Sequence, residues 1–315
     1  MPHFDGSNIY RNYENFPHSH SHDPALLEKF LFRFSKKWIA GYTAEQAISY
    51  AKKANDRGLI CILNYLGEEI TDTEEIKNTV KEYQNLLRYI KLGYIDGCIS
   101  IKPTQIGLAL GYDQCLENLQ QILKIAKIND LFVWVDIESF KFVDLTISIY
   151  KEILKRNFRA GIVLQSYLRK SNSDLIDLLK YDSHIRIVKG AYKGTNDIAF
   201  QSKTEIDENF FTLVKTLFSK TNESNKKDRI MAIATHDSKL IFRTIDLFSK
   251  YNFSREILQF QFLKGIRDEL KTDLLNRGFQ IYEYIPYGNN WLPYSIRRLR
   301  ERKRNILLLM HSLIS

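Results

Sequence analysis

Cysteine is scarce in this chain of 315 residues, which contains Cys61, Cys98 and Cys115 and no other. The number is odd and the spacing does not match a metal-binding motif, so the sequence excludes a disulfide framework. We expect buried free thiols in a reducing compartment, the cytoplasm. The first 24 residues also lack the features of a secretion signal or a transit peptide, and no apolar run approaches transmembrane length.

Three common signatures of catalytic chemistry are missing. The chain has no GxGxxG dinucleotide loop and no GxSxG nucleophile turn. His236 lies beside Asp237 at a predicted strand end, but no second histidine has a suitable position for a shared metal. We therefore expect no catalytic metal, and we leave His18, His20 and His22 in the polar N-terminal segment unassigned.

The charge is positive overall but mixed along the chain. The formal net charge is +9, from 46 basic and 37 acidic residues that are scattered mostly over predicted helices. This pattern is typical of solvated helix faces, and we expect no nucleic-acid partner. The run RRLRERKR at 297–304 is the best candidate for contact with an anionic substrate or a peripheral membrane surface.

Short runs rich in aliphatic and aromatic residues alternate with longer amphipathic segments, which is typical of a parallel α/β fold. The predicted strands are 59–66, 98–103, 132–138, 160–167, 184–192, 230–237, 257–263 and 279–285. Eight strand and helix units predict a (β/α)8 TIM barrel, an α/β fold. We expect residues 58–315 to form the barrel and residues 1–57 to form an N-terminal helical arm that packs outside it.

Polar residues recur where the predicted strands end, the rim at which barrels of this kind place their catalytic groups. They are Lys102, Asp136, Glu138, Gln165, Lys189, Thr235, His236 and Gln261. Any one of them could instead belong to an interior polar layer, a salt bridge or a helix cap. Their repetition at one rim favours a functional site.

The segment YIPYGNNWLPYSIRRLRER at 284–302 carries Arg297 and Arg298 side by side on a predicted helix. Planar guanidinium groups bind carboxylates through parallel charge-assisted hydrogen bonds. This pair, the arginine clamp, therefore predicts a site for a small carboxylic acid.

The strand ends SIKP, VDIE, GIVLQSYL, RIVKGAY and ATHD, followed by FQFLKGI and the closing YIPYGxxWxPYxxRRLxER, resemble those of the flavin-dependent proline dehydrogenases, in particular the monofunctional ones. The resemblance covers about residues 59 to 302. It implies a distorted (β/α)8 barrel that binds FAD without a Rossmann motif, in agreement with the strand count and the missing glycine loop.

The same resemblance implies a substrate site. Its residues are the carboxylate-binding Arg297, Arg298 and Lys102, the catalytic Asp136, the ring-facing Tyr284, the apolar Leu263, two further aromatic residues, Tyr192 and Tyr294, and Glu68. Glu68 would pair with Arg297 and close the pocket as a gate. Glu301, one helical turn after Arg297, could pair with it instead.

For the cofactor, the resemblance places the catalytic Arg186 against the reactive edge of the flavin. The further contacts that it implies are Ile137, Gln165, Lys189, Gly190, Ala191, Thr235 and His236. A fixed positive charge near the ring would favour the electron-rich reduced flavin.

The implied reaction transfers a hydride from the ring carbon next to nitrogen in L-proline to flavin N5. It yields 1-pyrroline-5-carboxylate, in the first step of proline catabolism to glutamate. The implied partners are a quinone or other electron acceptor and a separate pyrroline-5-carboxylate dehydrogenase. Two alternatives stay open: oxidation of hydroxyproline or another cyclic amino acid, and a binding barrel without catalysis. The group that accepts the proton of the substrate amine also stays open.

Overall fold

Eight parallel strands close into a barrel in chain order in the computed structural model. The structure describes residues 35–192, 194–224, 226 and 228–300, with the backbone alone at 297, 299 and 300. The strands are β1 (Ile60–Tyr65), β2 (Gly97–Ile101), β3 (Val133–Val135), β4 (Gly161–Gln165), β5 (His184–Val188), β6 (Met231–Ala234), β7 (Leu258–Leu263) and β8 (Gln280–Tyr287). Each lies within or overlaps a predicted strand, so the barrel prediction is confirmed.

Helices follow the strands and cover the outside of the barrel. They are α1 (Ala44–Asn55), α2 (Thr73–Leu92), α3 (Tyr112–Asn129), α4 (Val143–Lys155), α5 (Ser171–Leu178), α6 (Lys203–Glu223), α7 (Ser238–Phe248), α8 (Asp268–Asn276) and α9 (Trp291–Arg300). Several begin at a side chain that accepts a hydrogen bond from a free amide of the first turn, as Asp72 does for α2 and Ser202 for α6. At these helices the polar cap sets where the preceding loop ends.

The barrel interior is filled by side chains of alternate strand residues. Ile62, Cys98, Trp134 and Ala232 form a buried cluster there, and Tyr284 packs against it. The Trp134 ring lies against β4, where a Cβ on Gly161 would come within 2.4 Å of the ring. This cluster fills the lower interior of the barrel, and a cavity lies toward the C-terminal ends of the strands.

The described part of the predicted N-terminal arm packs on the barrel. Helix α1 contacts β1 and β8. Before it, Trp38 and Ile39 are buried in a cluster with Trp291 and Tyr294 of α9. The boundary at residues 57 and 58 stays a prediction, and the rest of the arm lies outside the described residues.

The three cysteines are buried free thiols, as predicted. Within the described ranges, each helix is too short or too polar to cross a lipid bilayer. The described residues also contain no group of three or more His, Cys, Asp and Glu side chains that could hold a metal ion. The histidines at 18, 20 and 22 lie outside the described residues.

Candidate active site

A cavity of about 440 Å³ opens at the C-terminal ends of the strands. The predicted site residues that line it are Glu68, Lys102, Asp136, Ile137, Gln165, Arg186, Lys189, Gly190, Ala191, Tyr192, Thr235, His236, Leu263, Tyr284, Tyr294 and Arg298. The side chain of Arg297 lies outside the described residues, as does Glu301. The fold therefore brings the lining residues together, whereas Glu138 of the expected rim does not line the cavity. Their individual roles stay predictions.

Asp136 is the centre of a hydrogen-bond network inside the barrel. Its Oδ1 accepts bonds from Arg186 Nη1 at 2.8 Å and from Ser100 Oγ at 2.9 Å. Its Oδ2 accepts a bond from the Tyr284 hydroxyl at 2.9 Å. Three strands, β2, β5 and β8, thus hold one carboxylate in a single orientation.

The electrostatics of this network follow from burial. Arg186 is 3% exposed, and burial lowers its pKa from the usual value, while Asp136 acts to raise it. Its guanidinium also lies 4.4 Å from the centre of the Trp134 ring. Burial, followed by Asp136, raises the pKa of Tyr284 well above the ordinary value. The tyrosine hydroxyl therefore stays protonated and keeps donating to Asp136.

Several buried polar atoms of the cavity wall are unsatisfied within the described part of the chain. Arg186 Nε and Nη2 have no hydrogen-bond acceptor there, and Gln165 Oε1 and Gln261 Oε1 have no donor. The Gln165 amide nitrogen is fixed, since it donates to the Ile137 carbonyl at 3.1 Å. Buried polar groups are normally paired, so these atoms indicate a polar ligand on this side of the cavity.

The turn after β5 brings backbone close to the cavity. Gly190 has a φ of 101°, and a Cβ at this position would lie 2.2 Å from Cδ1 of Tyr167. Only glycine fits there without displacing the tyrosine ring. The glycine thus lets the turn, whose residues 189–191 line the cavity, pack directly on Tyr167.

Two carboxylates hold Lys189 at the edge of the same turn. Its Nζ contacts Asp237 Oδ2 at 3.0 Å and forms a second ion pair with Asp207. Burial acts to raise the pKa of Asp237, but hydrogen bonds and charges from Lys189 and Lys203 prevail and lower it to about 2. Asp237 therefore stays ionised at neutral pH and restrains Lys189.

His236 links two strands at the rim. Its Nε2 accepts a 3.1 Å hydrogen bond from the Leu263 amide. Because the amide can only donate, Nε2 carries no proton in this arrangement and the imidazole is neutral. His236 thus positions the end of β7 and presents its ring to the cavity.

The other end of the cavity carries a charged pair and aromatic residues. Lys102 directly follows β2 and forms an ion pair with Glu68 of the loop after β1. Arg298 of α9 lies over the ring of Tyr294, with 5.4 Å between the guanidinium carbon and the ring centre. The expected gate between Glu68 and Arg297 is not tested, since it needs a side chain outside the described set.

Sequence reasoning missed two contributors to this site, Ser100 and Trp134. Ser100 donates to Asp136 and accepts a 3.1 Å bond from Arg186 Nη1. The alternation of side chains along a strand could have revealed both, because Ser100 precedes Lys102 by two residues and Trp134 precedes Asp136 by two. Residues two apart on a strand face the same side, so both could have been assigned to the interior.

Comparisons with known proteins agree with this geometry. The family model described as Proline dehydrogenase matches residues 47–307. Proline dehydrogenase 1 of Bacillus subtilis (strain 168) is 31% identical over 280 residues, which cover 89% of this chain and 90% of that protein. The proline dehydrogenase of Deinococcus radiodurans is 28% identical over 295 residues, or 92% of this chain and 93% of that protein.

A solved structure shares the fold. The crystal structure of proline utilization A from Bdellovibrio bacteriovorus superimposes with a TM-score of 0.80 at 22% sequence identity and covers 87% of this chain. This chain spans about a third of that longer protein, since the match covers 33% of it. The family match and the sequence relatives extend over most of the chain. The chain belongs to the proline dehydrogenase family.

Proposed function

We propose that this protein oxidises L-proline to 1-pyrroline-5-carboxylate and uses bound FAD as its cofactor. The observation that carries the proposal is the division of one cavity into two chemically different ends. One end has buried, unsatisfied polar atoms on Arg186 and Gln165, and the other has the cations Lys102 and Arg298. A flat heteroaromatic ring fits the first end, and a small carboxylic acid fits the second.

The residues at the first end fit an isoalloxazine ring. Arg186 offers Nε–H and Nη2–H donors and Gln165 offers an oxygen acceptor, while ring systems of this kind carry both acceptors and donors. Lys189, Gly190 and Ala191 line the cavity and would contact the ring. When bound, FAD would supply the acceptor for the hydride that leaves the proline ring.

The residues at the second end would bind and orient proline. Lys102 and Arg298, together with Arg297 of the same helix, would hold the substrate carboxylate. Leu263, Tyr284 and Tyr294 line the same cavity, so they would exclude water from the ring. Fixing the substrate by its carboxylate and enclosing its ring can lower the activation barrier by several kcal/mol.

Asp136 would keep this arrangement in place. Both of its oxygens already accept hydrogen bonds, from Tyr284 on one side and from Arg186 and Ser100 on the other. It therefore couples the tyrosine of the substrate wall to the arginine of the flavin end. A loss of either contact would disturb both ends of the cavity.

The wider reaction is part of the same proposal. A quinone or another acceptor would take up the electrons removed from proline, and a separate pyrroline-5-carboxylate dehydrogenase would consume the product. Reoxidation by a soluble quinone, measured after anaerobic reduction, tests the first of these partners.

The absorption spectrum of the purified protein tests the proposal. A yellow protein, or one that becomes yellow on reconstitution with FAD, supports flavin binding. Anaerobic addition of L-proline should then bleach the visible bands, with hydroxyproline and other cyclic amino acids as comparisons. A colourless protein that does not take up FAD would contradict the proposal and favour a binding barrel, whereas bleaching by hydroxyproline alone would change the substrate.

A further inference from the structure

Behind the substrate end of the cavity, the carboxylate of Glu138 holds Thr104 from two sides. Its Oε2 accepts a hydrogen bond from the Thr104 amide at 3.0 Å, and its Oε1 accepts one from the Thr104 hydroxyl at 2.6 Å. Glu138 is 5% exposed and does not line the cavity. A bound substrate would therefore not touch Glu138, and any effect on binding must pass through Thr104.

Thr104 connects this carboxylate to the charged pair of the cavity. Its hydroxyl oxygen accepts a 2.8 Å hydrogen bond from the Glu69 amide. Because that amide can only donate, the hydroxyl proton is directed to Glu138. Glu69 directly follows Glu68, and the short turn Pro103–Ile106 that contains Thr104 directly follows Lys102. These contacts thus connect Glu138, through Thr104, to Lys102 and Glu68, which form the ion pair at the cavity.

The backbone at Glu69 has a conformation that a contact with another segment must stabilise. Its φ of 50° lies in the left-handed region, which residues with a side chain adopt at a cost in free energy. The bond from its amide to Thr104 stabilises this conformation and with it the direction of the loop after β1. Removal of the bond would free the loop to relax.

We propose that Glu138 is a positioning residue for substrate binding, which acts through Thr104 to fix Lys102 and Glu68 at the carboxylate end of the cavity. The inference rests on the proposed function, since it assigns Lys102 to the substrate carboxylate. It adds a residue outside the cavity to those that determine affinity.

Burial raises the pKa of Glu138 to about 7, although the charge of Lys102 and the two hydrogen bonds from Thr104 oppose the shift. Above this pH the carboxylate is mostly ionised, and its negative charge gives a competing expectation. The charged and titratable groups around it are Lys102 after β2, Glu68 after β1, Tyr83 on α2 and Cys115 on α3. If repulsion of the substrate carboxylate were the main effect, a neutral residue here would tighten binding. If the hold on Thr104 prevails, the same change weakens binding. The two bonds to one carboxylate, of which the hydroxyl bond is short at 2.6 Å, favour the second outcome, because charge-assisted hydrogen bonds are roughly twice as strong as neutral ones.

The test compares Glu138→Gln, Thr104→Val and Thr104→Ser. Glutamine keeps the shape, but one of its two terminal atoms is an NH2 group that can only donate, whereas Glu138 accepts on both oxygens. Valine removes the hydroxyl and leaves the charge of Glu138 in place, and serine keeps the hydroxyl. The control is Glu117→Gln, the same chemical change at an exposed position of α3.

Steady-state kinetics with L-proline give KM and kcat. Calorimetric titration with cyclopentanecarboxylate, a ring acid without an amine, gives a Kd independent of turnover.

We expect Glu138→Gln and Thr104→Val each to raise KM and this Kd about tenfold, with kcat changed less than about threefold. Thr104→Ser and the control should stay within about twofold of the wild type. Tighter binding by Glu138→Gln, or unchanged binding by Thr104→Val, would overturn the inference. If Glu138→Gln does not fold, the contrast between valine and serine at Thr104 decides it. If the wild type does not oxidise proline, the proposed function fails, and the Kd values still test the role of Glu138.

Discussion

The Tyr284 hydroxyl donates a 2.9 Å hydrogen bond to Asp136 Oδ2 across the interior of the barrel. Tyr284 belongs to β8 and Asp136 directly follows β3, so the bond joins strands that are not neighbours in the sheet. It can form only when the barrel is closed. The same carboxylate binds Arg186, so the bond connects the wall of the proposed substrate end to the proposed flavin end.

Replacement of Tyr284 by phenylalanine should lower kcat/KM for L-proline about tenfold. The ring remains, but Asp136 Oδ2 loses its donor, and a hydrogen bond to a charged group contributes about 1.5–3 kcal/mol. Steady-state assays with an artificial electron acceptor measure the effect. The matched control is Tyr282→Phe on the same strand, whose hydroxyl accepts from Gln259 at 3.0 Å. An equal loss in both variants would show that the bond to Asp136 has no special role.

Replacement of Arg186 by methionine should lower the free energy of unfolding by about 3 kcal/mol. Asp136 would keep its bonds from Ser100 and Tyr284 but lose its cation, and breaking a buried ion pair from one side is strongly destabilising. Urea denaturation of the cofactor-free protein measures this. The double variant Arg186→Met with Asp136→Asn should recover part of the loss, because no uncompensated charge then remains. A double variant less stable than the single one would argue against the ion pair as the cause.

Replacement of Gly190 by alanine should weaken FAD binding about tenfold or more. The new methyl group would require Tyr167 to move, and overpacking of this kind costs about 1–3 kcal/mol. Titration of the apoprotein with FAD, followed by flavin fluorescence, gives the Kd. Gly111→Ala is the control, since a Cβ there meets no atom within 4 Å and the backbone is extended with a φ of 168°. Similar losses in both variants would indicate a general effect on the fold.

Lys264 should make the stability depend on pH in the alkaline range. Its Nζ donates to the carbonyls of Lys36 at 2.6 Å and Lys37 at 3.2 Å, so it ties the N-terminal segment to the end of β7. Burial lowers its pKa to about 8 from the usual 10.5, although the charge of Glu283 opposes the shift. Between these two pH values the unfolded chain holds a proton that the folded protein has released, so stability rises with pH.

The variant Lys264→Met removes this contribution. The difference in unfolding free energy, wild type minus variant, should therefore increase from pH 8 to pH 10.5, with a slope of at most about 1.4 kcal/mol for each pH unit. Urea denaturation at several pH values measures both proteins. A difference that stays constant or decreases over this interval would exclude the assigned titration.

The strands were predictable because their signal is local. Apolar runs bounded by polar turns indicate buried parallel strands whatever their partners are. The eight strand and helix units imply a helix after each strand, but the bounds of α5 and α8 were not predicted, since Ser171–Leu178 and Asp268–Asn276 are short and give weak periodicity. Strand β3 is also shorter than its run, because Asp136 and the residues after it leave the sheet to reach the cavity and Thr104.

The amino-acid sequence by itself determined the barrel, the rim at which its polar residues gather and the family to which the chain belongs. Only the tertiary structure decided the partners of those residues. Lys102 pairs with Glu68, Arg186 pairs with Asp136, and Glu138 turns away from the cavity to bind Thr104. The physical reason is that strand periodicity states which face a side chain takes, whereas its partner depends on the register and closure of strands that are distant in the chain.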